Sequence, residues 1–266
     1  MIAAVQADEL MRVWQAYYND AHPFFAAGPA GETLVGPGWF AALSHEQSGE
    51  LNVCGLTPEA TVASARALAS SIEADLPLII FVSEQADPEA GAFLETNGFG
   101  TVTVTEPLMH TTRPPAPAET AFRIEPAVGT AALDAGIALT SEANTVGREL
   151  LERSIRHAAD SGAAQMWLAW DGAEPISVVW IGRHEECIGV MEMMTPERYQ
   201  RRGAGRALLT HALAAEWRDD TEFAILIATP AGRRLYESIG PEASDETLTR
   251  FRGLEDDVLV AIGQPA

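Results

Sequence analysis

The chain has 266 residues, 47% of them hydrophobic and 21% charged, with a net charge of -21. That length accommodates one large or two modest domains with buried cores, and the composition is that of a folded chain rather than a disordered one. The negative charge excludes non-specific binding to nucleic acid or to anionic membranes, both of which need a field of the opposite sign.

Residues 1–10 include Asp8 and Glu9 and lack the basic start and apolar block of a signal peptide; the apolar run 76–82 is too short to span a bilayer. A cytoplasmic protein is expected. Residues 8–18 place Leu10, Val13, Trp14 and Tyr17 on one face of an amphipathic helix, and residues 22–38 read as loop with one short strand around Leu34. Residues 39–43 and 50–56 read as a strand pair across Gln47-Ser48-Gly49. Thr57-Pro58 supplies an N-cap and a first helical position for a helix with Val62, Ala65, Ala69 and Ile72 on one face. Residues 78–82 suit a buried strand, Asp87-Pro88 opens a helix that ends at Gly98, and residues 101–105 alternate as a strand. Residues 111–120, with Pro114, Pro115 and Pro117, have linker composition. The expected division is therefore residues 1–112, a linker at 113–120, and a second domain at 121–266.

The second part opens with a strand at 122–128 and helices at 131–142 and 148–160. A hairpin follows, 166–170 and 176–182, turning at Asp171-Gly172. Residues 187–194 read as a central strand, 207–217 as a helix with Leu209, Leu213 and Trp217 at intervals of four, and 223–228 as another strand. Thr229-Pro230 repeats the cap-plus-proline helix start, and Gly240 supplies a stop. Cys54 and Cys187 lie in strand-like runs and are expected as reduced, buried thiols. The six histidines have no ligand spacing, so no metal is expected.

Between the strand 187–194 and the following helix stands Thr195-Pro-Glu-Arg-Tyr-Gln200-Arg201-Arg202-Gly203-Ala204-Gly205-Arg206. A helix start leaves backbone N–H groups without partners, and glycines let an anion come close to them. Arg201, Arg202 and Arg206 add cationic donors in an otherwise acidic chain. No Gly-Lys-Ser/Thr follows, which disfavours a Walker loop, and no third glycine or acidic ribose ligand favours a dinucleotide fold. The order Gln200 to Gly205 resembles the Gln/Arg-x-x-Gly-x-Gly/Ala loop of the GNAT acetyltransferase superfamily, which holds the pyrophosphate of acetyl-CoA. Leu235-Tyr236-Glu237-Ser238-Ile239-Gly240 resembles that family's second signature, with Pro241 where Phe is usual and Thr229 where an Asn often sits.

An internal repeat accompanies the resemblance. Phe93 to Gly98 parallels Leu235 to Gly240, and the pairs Leu94/Tyr236 and Pro88/Pro230 both lie 142 residues apart (236 minus 94, 230 minus 88). The expectation is an α/β (α+β) protein of two GNAT-like domains, each a mixed twisted sheet flanked by helices. Its N-terminal copy, lacking glycines at 58–65, would be degenerate and would wall the substrate cleft.

The resemblance implies an N-acetyltransferase that moves an acetyl group from acetyl-CoA to a primary amine by direct attack in a ternary complex. It assigns the pyrophosphate to the amides of Arg201, Arg202, Gly203, Ala204, Gly205 and Arg206, beside Gln200, and the pantetheine arm to the backbone of Met193, Met194 and Thr195, with Thr229 also near the cofactor. Tyr236 would donate a proton to the departing thiolate, since a phenol stays protonated at neutral pH. Glu192 is the candidate base, sharing a face with Val190 and Met194 if the strand alternates regularly; Glu142 is a second candidate. The acceptor is a small-molecule or peptide amine that the sequence does not identify, and a homodimer is left open. Two other readings remain at this point: a non-catalytic acyl-CoA sensor or scaffold, and transfer of a longer acyl group.

Overall fold

The protein is described by a computed structural model over residues 11–15, 26, 30–100, 103–142, 148–162, 164–184 and 186–252. In chain order, the elements are β1 (Glu32–Gly36), β2 (Trp39–Leu43), β3 (Asn52–Leu56), α1 (Val62–Ser71), β4 (Leu78–Ser83), α2 (Pro88–Thr96), β5 (Thr103–Thr111) and β6 (Arg123–Pro126). There follow α3 (Thr130–Ser141), α4 (Arg148–Ser161), β7 (Ala164–Asp171), β8 (Glu174–His184), β9 (Cys187–Met194), α5 (Ala204–Glu216), β10 (Phe223–Ile227), α6 (Arg233–Glu237) and β11 (Glu242–Arg252). They fall into two compact units. One comprises Met1–Met109, Ile227–Arg233 and Ala243–Ala266, the other His110–Leu226 and Arg234–Glu242.

In the first unit the strand order is β1-β2-β3-β4-β11-β5. The apolar runs of β2 and β3 pair antiparallel, β3 and β4 pair parallel with α1 as their crossover, and β4 pairs antiparallel with β11. One sheet face buries Leu43, Leu56, Leu78 and Ile80 against Ala65 and Leu68 of α1 and Leu94 of α2. Asp87-Pro88 opens α2 as the sequence predicts, with the Asp87 carboxylate accepting the Glu89 N–H at 3.0 Å. Thr57-Pro58 does not open α1. Thr61 is the N-cap instead, because Thr61 and Ser64 exchange capping bonds, and residues 57–60 form a separate turn.

The other sheet face buries Phe40, Val53 and Phe81, and beside them a group of polar side chains. Ser83, Asp245, Thr247 and Thr249 are all at most 3% exposed. Trp14 Nε1 and Ser83 Oγ both donate to Asp245 Oδ2, at 2.8 and 2.5 Å, while Asp245 Oδ1 is buried without a hydrogen-bond partner among the described residues. Burial pushes the Asp245 carboxyl upward, against the pull of those hydrogen bonds. Trp14 and Val13 belong to the helical residues 11–15; Leu10, Tyr17 and the remainder of the expected helix lie outside the described residues.

In the second unit the order is β10-β9-β8-β7-β6. β6 to β9 form an antiparallel meander whose β7–β8 turn has Gly172 at φ +62, as expected of Asp171-Gly172. β9 and β10 pair parallel across α5, which buries Leu208, Leu209 and Leu213, and Trp180 is fully buried in the sheet. The proline-rich stretch forms neither helix nor strand over residues 114–120 and is held on α5 by Ala118 N–H to Thr210 Oγ1, 3.0 Å. The sequence reading assigns all of 121–266 to the second domain. In the structure β11 pairs with β4, so residues 243–252 lie in the first unit. Cys54 and Cys187 are both buried. No helix among the described residues is long and apolar enough to cross a membrane.

Candidate active site

Strand β9 is regular up to Val190 and irregular after it. Its register against β8 pairs Met191 with Trp180 and Met194 with Val178, so three steps along β9 match two along β8. The extra residue is a bulge, and Glu192 takes the left-handed conformation at φ +47, uncommon for a residue with a side chain. The expectation that Glu192 shares a face with Val190 and Met194 is therefore corrected, since alternation fails across a bulge. β9 and β10 pair only at Cys187–Gly189 with Phe223–Ile225, so beyond Gly189 the end of β9 carries no β10 partner among the described residues. Ser177 Oγ fixes this end by donating to the Met194 carbonyl at 2.9 Å, and it lies 2.7 Å from Thr195 Oγ1.

The loop from Thr195 to Gly203 then turns the chain into α5. Gln200 Nε2 donates to the Thr195 carbonyl at 3.0 Å, and Arg201 at φ +59 and Gly203 at φ +83 make the turn. Gly203 is the N-cap of α5, which has neither a side-chain cap nor an acidic residue in its first turn. A Cβ built on Gly203 meets nothing within 4 Å, so the helix start faces open space. These features suit a diphosphate: unsatisfied amides, the positive end of the helix, and room to approach. Arg201 and Arg206 are exposed there. Arg202 departs from expectation, because its guanidinium pairs with Asp171 at 2.5 Å and lies over the Phe122 ring, 5.6 Å from its centroid. Ala204 is buried, so only its backbone could serve a ligand.

Gly205 has a different reason to be glycine. A Cβ there would stand 3.1 Å from both Met193 Cε and Thr195 Oγ1, and 3.8 Å from Leu235 Cδ2. Gly205→Val is expected to displace Met193 and to lower stability by about 1–3 kcal/mol through overpacking. Gly205→Ala should stay within about 1 kcal/mol, since helix propensity offsets the tighter contact. Urea unfolding of both variants checks the pair.

Met193 also reaches the second signature. Tyr236, on α6, is 9% exposed and its hydroxyl donates to Met193 Sδ at 3.7 Å. Burial pushes this phenol up to about 12. The structure thus brings together Met193, Thr195, Gly205 and Tyr236. Glu192 and Met194 flank that group on the bulged strand. Thr229 does not open the helix as expected: its carbonyl accepts the N–H groups of Gly232 and Arg233, both at 3.0 Å, and α6 starts only at Arg233.

Glu142, the second base candidate, ends α3 in a two-pronged pair with Arg198, at 2.5 and 2.9 Å. That pairing lowers its pKa, which makes it a poorer base. Sequence reasoning missed Arg198 in this role, and also missed the Met193 side chain, because it assigned β9 only backbone contacts. The bulge that aims Met193 has no glycine or proline to announce it.

Residues 136–255 match the family model described as an acetyltransferase (GNAT) domain. Among solved structures, the chain is similar to a GCN5-related N-acetyltransferase from Kribbella flavida at 15% identity and a TM-score of 0.63, covering 85% of this chain and 90% of that one. A GCN5-related N-acetyltransferase-like protein from Streptococcus suis 89/1591 is similar at 15% identity and a TM-score of 0.57, covering 94% and 98%. A GCN5-related N-acetyltransferase from Sphaerobacter thermophilus is similar at 13% identity and the same TM-score, covering 81% and 76%. A search of curated proteins finds no match. At these identities the solved structures establish the shared fold. Residues 136–255, which include β9, the glycine loop and Tyr236, are thus similar to an acetyltransferase (GNAT) domain on a fold shared with GCN5-related N-acetyltransferases.

Proposed function

We propose that the protein transfers an acetyl group from acetyl-CoA to a primary amine, small-molecule or peptide, by direct attack in a ternary complex. The observation that carries this reading is the buried Tyr236 phenol, aimed at a sulfur beside the glycine-opened start of α5. When bound, acetyl-CoA would supply the activated thioester. The amides of residues 201–206 would hold its diphosphate, with Arg201 and Arg206 as cationic donors, and the backbone of Met193 to Thr195 would orient its arm. Tyr236 would give its proton to the departing thiolate, and Glu192 would take one from the incoming ammonium. The net charge of -21 favours a cationic acceptor over an anionic one.

The tandem reading is part of the proposal. The parallel pair β3/β4 with α1 between its strands repeats the arrangement of β9/β10 with α5, and Pro88 and Pro230 keep their offset of 142. Residues 1–112 would then be a degenerate copy without the phosphate loop. The site of action is taken to be the cytoplasm, and a homodimer is one assembly compatible with the reading.

Mass analysis of co-purified cofactor, followed by thiol release with a panel of amines, tests the function. Acetyl-CoA and turnover of at least one amine are expected; tight cofactor binding with no turnover across the panel would point to a sensor. The pH profile supplies a further check. With its pKa raised, Tyr236 remains protonated far above neutrality, so kcat should not fall between about pH 7 and pH 10 through this group. The same shift costs stability as pH rises from about 10, where the unfolded phenol ionises, towards the folded value. A kcat profile at saturating acetyl-CoA that drops below pH 10 with the Tyr236 titration would overturn the assignment.

A further inference from the structure

Met193 lies at the centre of the candidate site by its side chain and not only by its backbone. Its Sδ is 3.7 Å from the Tyr236 hydroxyl, its methyl adjoins Gly205, and the residue is half-buried and so within reach of small solutes. Met193 Sδ is the phenol's hydrogen-bond partner among the described residues. A thioether sulfur is a weak acceptor and a soft, oxidisable one. Met191 and Met194 are also half-buried, on the same strand, but the bulge at Glu192 leaves the contact with Tyr236 to Met193.

We propose that Met193 is a modification site for hydroperoxides, whose oxidation to the sulfoxide captures the Tyr236 hydroxyl and arrests acyl transfer. The inference rests on the proposed acid role of Tyr236. In the step, the Met193 sulfur attacks one peroxide oxygen, the O–O bond breaks and a new S–O bond forms. Sulfur gives up two electrons, and hydrogen peroxide is reduced to water. The new oxygen is a far stronger acceptor than the sulfur was, and it sits on the atom to which the phenol already donates. The proton of Tyr236 is then directed at the enzyme's own sulfoxide rather than at a substrate sulfur. Methionine sulfoxide reductases, one for each epimer, reverse the change.

The test uses the full-length protein and graded hydrogen peroxide, with sulfoxide at each methionine read by peptide mass and each rate expressed against the same variant's untreated rate. Wild type is expected to fall to about a hundredth as residue 193 becomes oxidised, the lower end of what a positioned acid contributes. Reductase treatment should restore it. Met193→Leu should keep most of its own rate under the same treatment, whereas Met191→Leu and Met194→Leu should be inactivated like wild type. Loss that follows sulfoxide at 191 or 194, or equal loss in Met193→Leu, would overturn the proposal. A second arm does not depend on turnover. In protein labelled with methyl-13C methionine, the resonance missing from Met193→Leu should shift in Tyr236→Phe, and shift more after oxidation. An unmoved resonance overturns the proposal outright. A shifted one, with no amine turned over by untreated protein, leaves the capture of Tyr236 standing and overturns the acetyltransferase reading instead.

Discussion

Replacing Tyr236 by phenylalanine lowers kcat by about 10²- to 10⁴-fold, the contribution of a positioned proton donor, while acetyl-CoA affinity stays within about threefold. The change removes one oxygen from a ring that is 9% exposed, so the packing around α6 persists. Among the described residues its hydroxyl donates to a thioether, and losing that bond should cost about 1 kcal/mol or less. Stability and catalysis therefore separate in this variant. Thiol release under saturating conditions, beside calorimetric binding of acetyl-CoA, measures both. An unchanged kcat would mean that the thiolate leaves unprotonated or takes its proton elsewhere, and the reading of the site would have to be rebuilt around another donor.

The second large effect is expected at Gly203. Gly203→Asp should weaken acetyl-CoA binding by about a thousandfold, because a carboxylate some 4 Å from a phosphate at a protein surface repels it by roughly 4 kcal/mol. Gly203→Ala separates charge from geometry. A Cβ at this position meets nothing within 4 Å, so alanine pays only for φ +83, about 1–2 kcal/mol of stability. If the aspartate and alanine variants bind acetyl-CoA equally well, no anion sits at the start of α5.

Much of the second unit could be read in advance because its signals are local. Asp171-Gly172 marks a turn, the run 187–194 marks β9 to the residue, and Gly203 and Gly205 mark the entry into α5. What could not be read depends on contacts distant in sequence. β11 escaped notice because the residues it buries include Asp245, Thr247, Thr249 and Arg250, so it looks like an exposed segment. Asp245 Oδ2, Thr247 and Thr249 find their partners in Ser83, Trp14 and Glu106, more than 130 residues away, and no window of sequence contains both members of a pair. The bulge at Glu192 was hidden for a related reason. It shows as a step in the β8–β9 register and in the left-handed backbone of Glu192, and that step is what moves Met193 into the site. Glu142 illustrates the opposite error: its candidacy rested on position alone, and the partner that weakens it as a base, Arg198, lies 56 residues away.

The pairing of β11 with β4 also sets an order of events during synthesis. Ser83 meets Asp245 across 162 positions, and closing a loop of that length costs about 4.5 kcal/mol of chain entropy before any contact repays it. While the ribosome is still translating residues 84–240, one edge of β4 waits uncovered, a template on which a neighbouring nascent chain could dock. A fragment ending at the proline-rich stretch would keep that raw edge permanently. Expression trials that split the gene at residues 113–120 should accordingly yield aggregates from the first piece, whereas supplying residues 243–252 as a separate peptide should return part of it to solution.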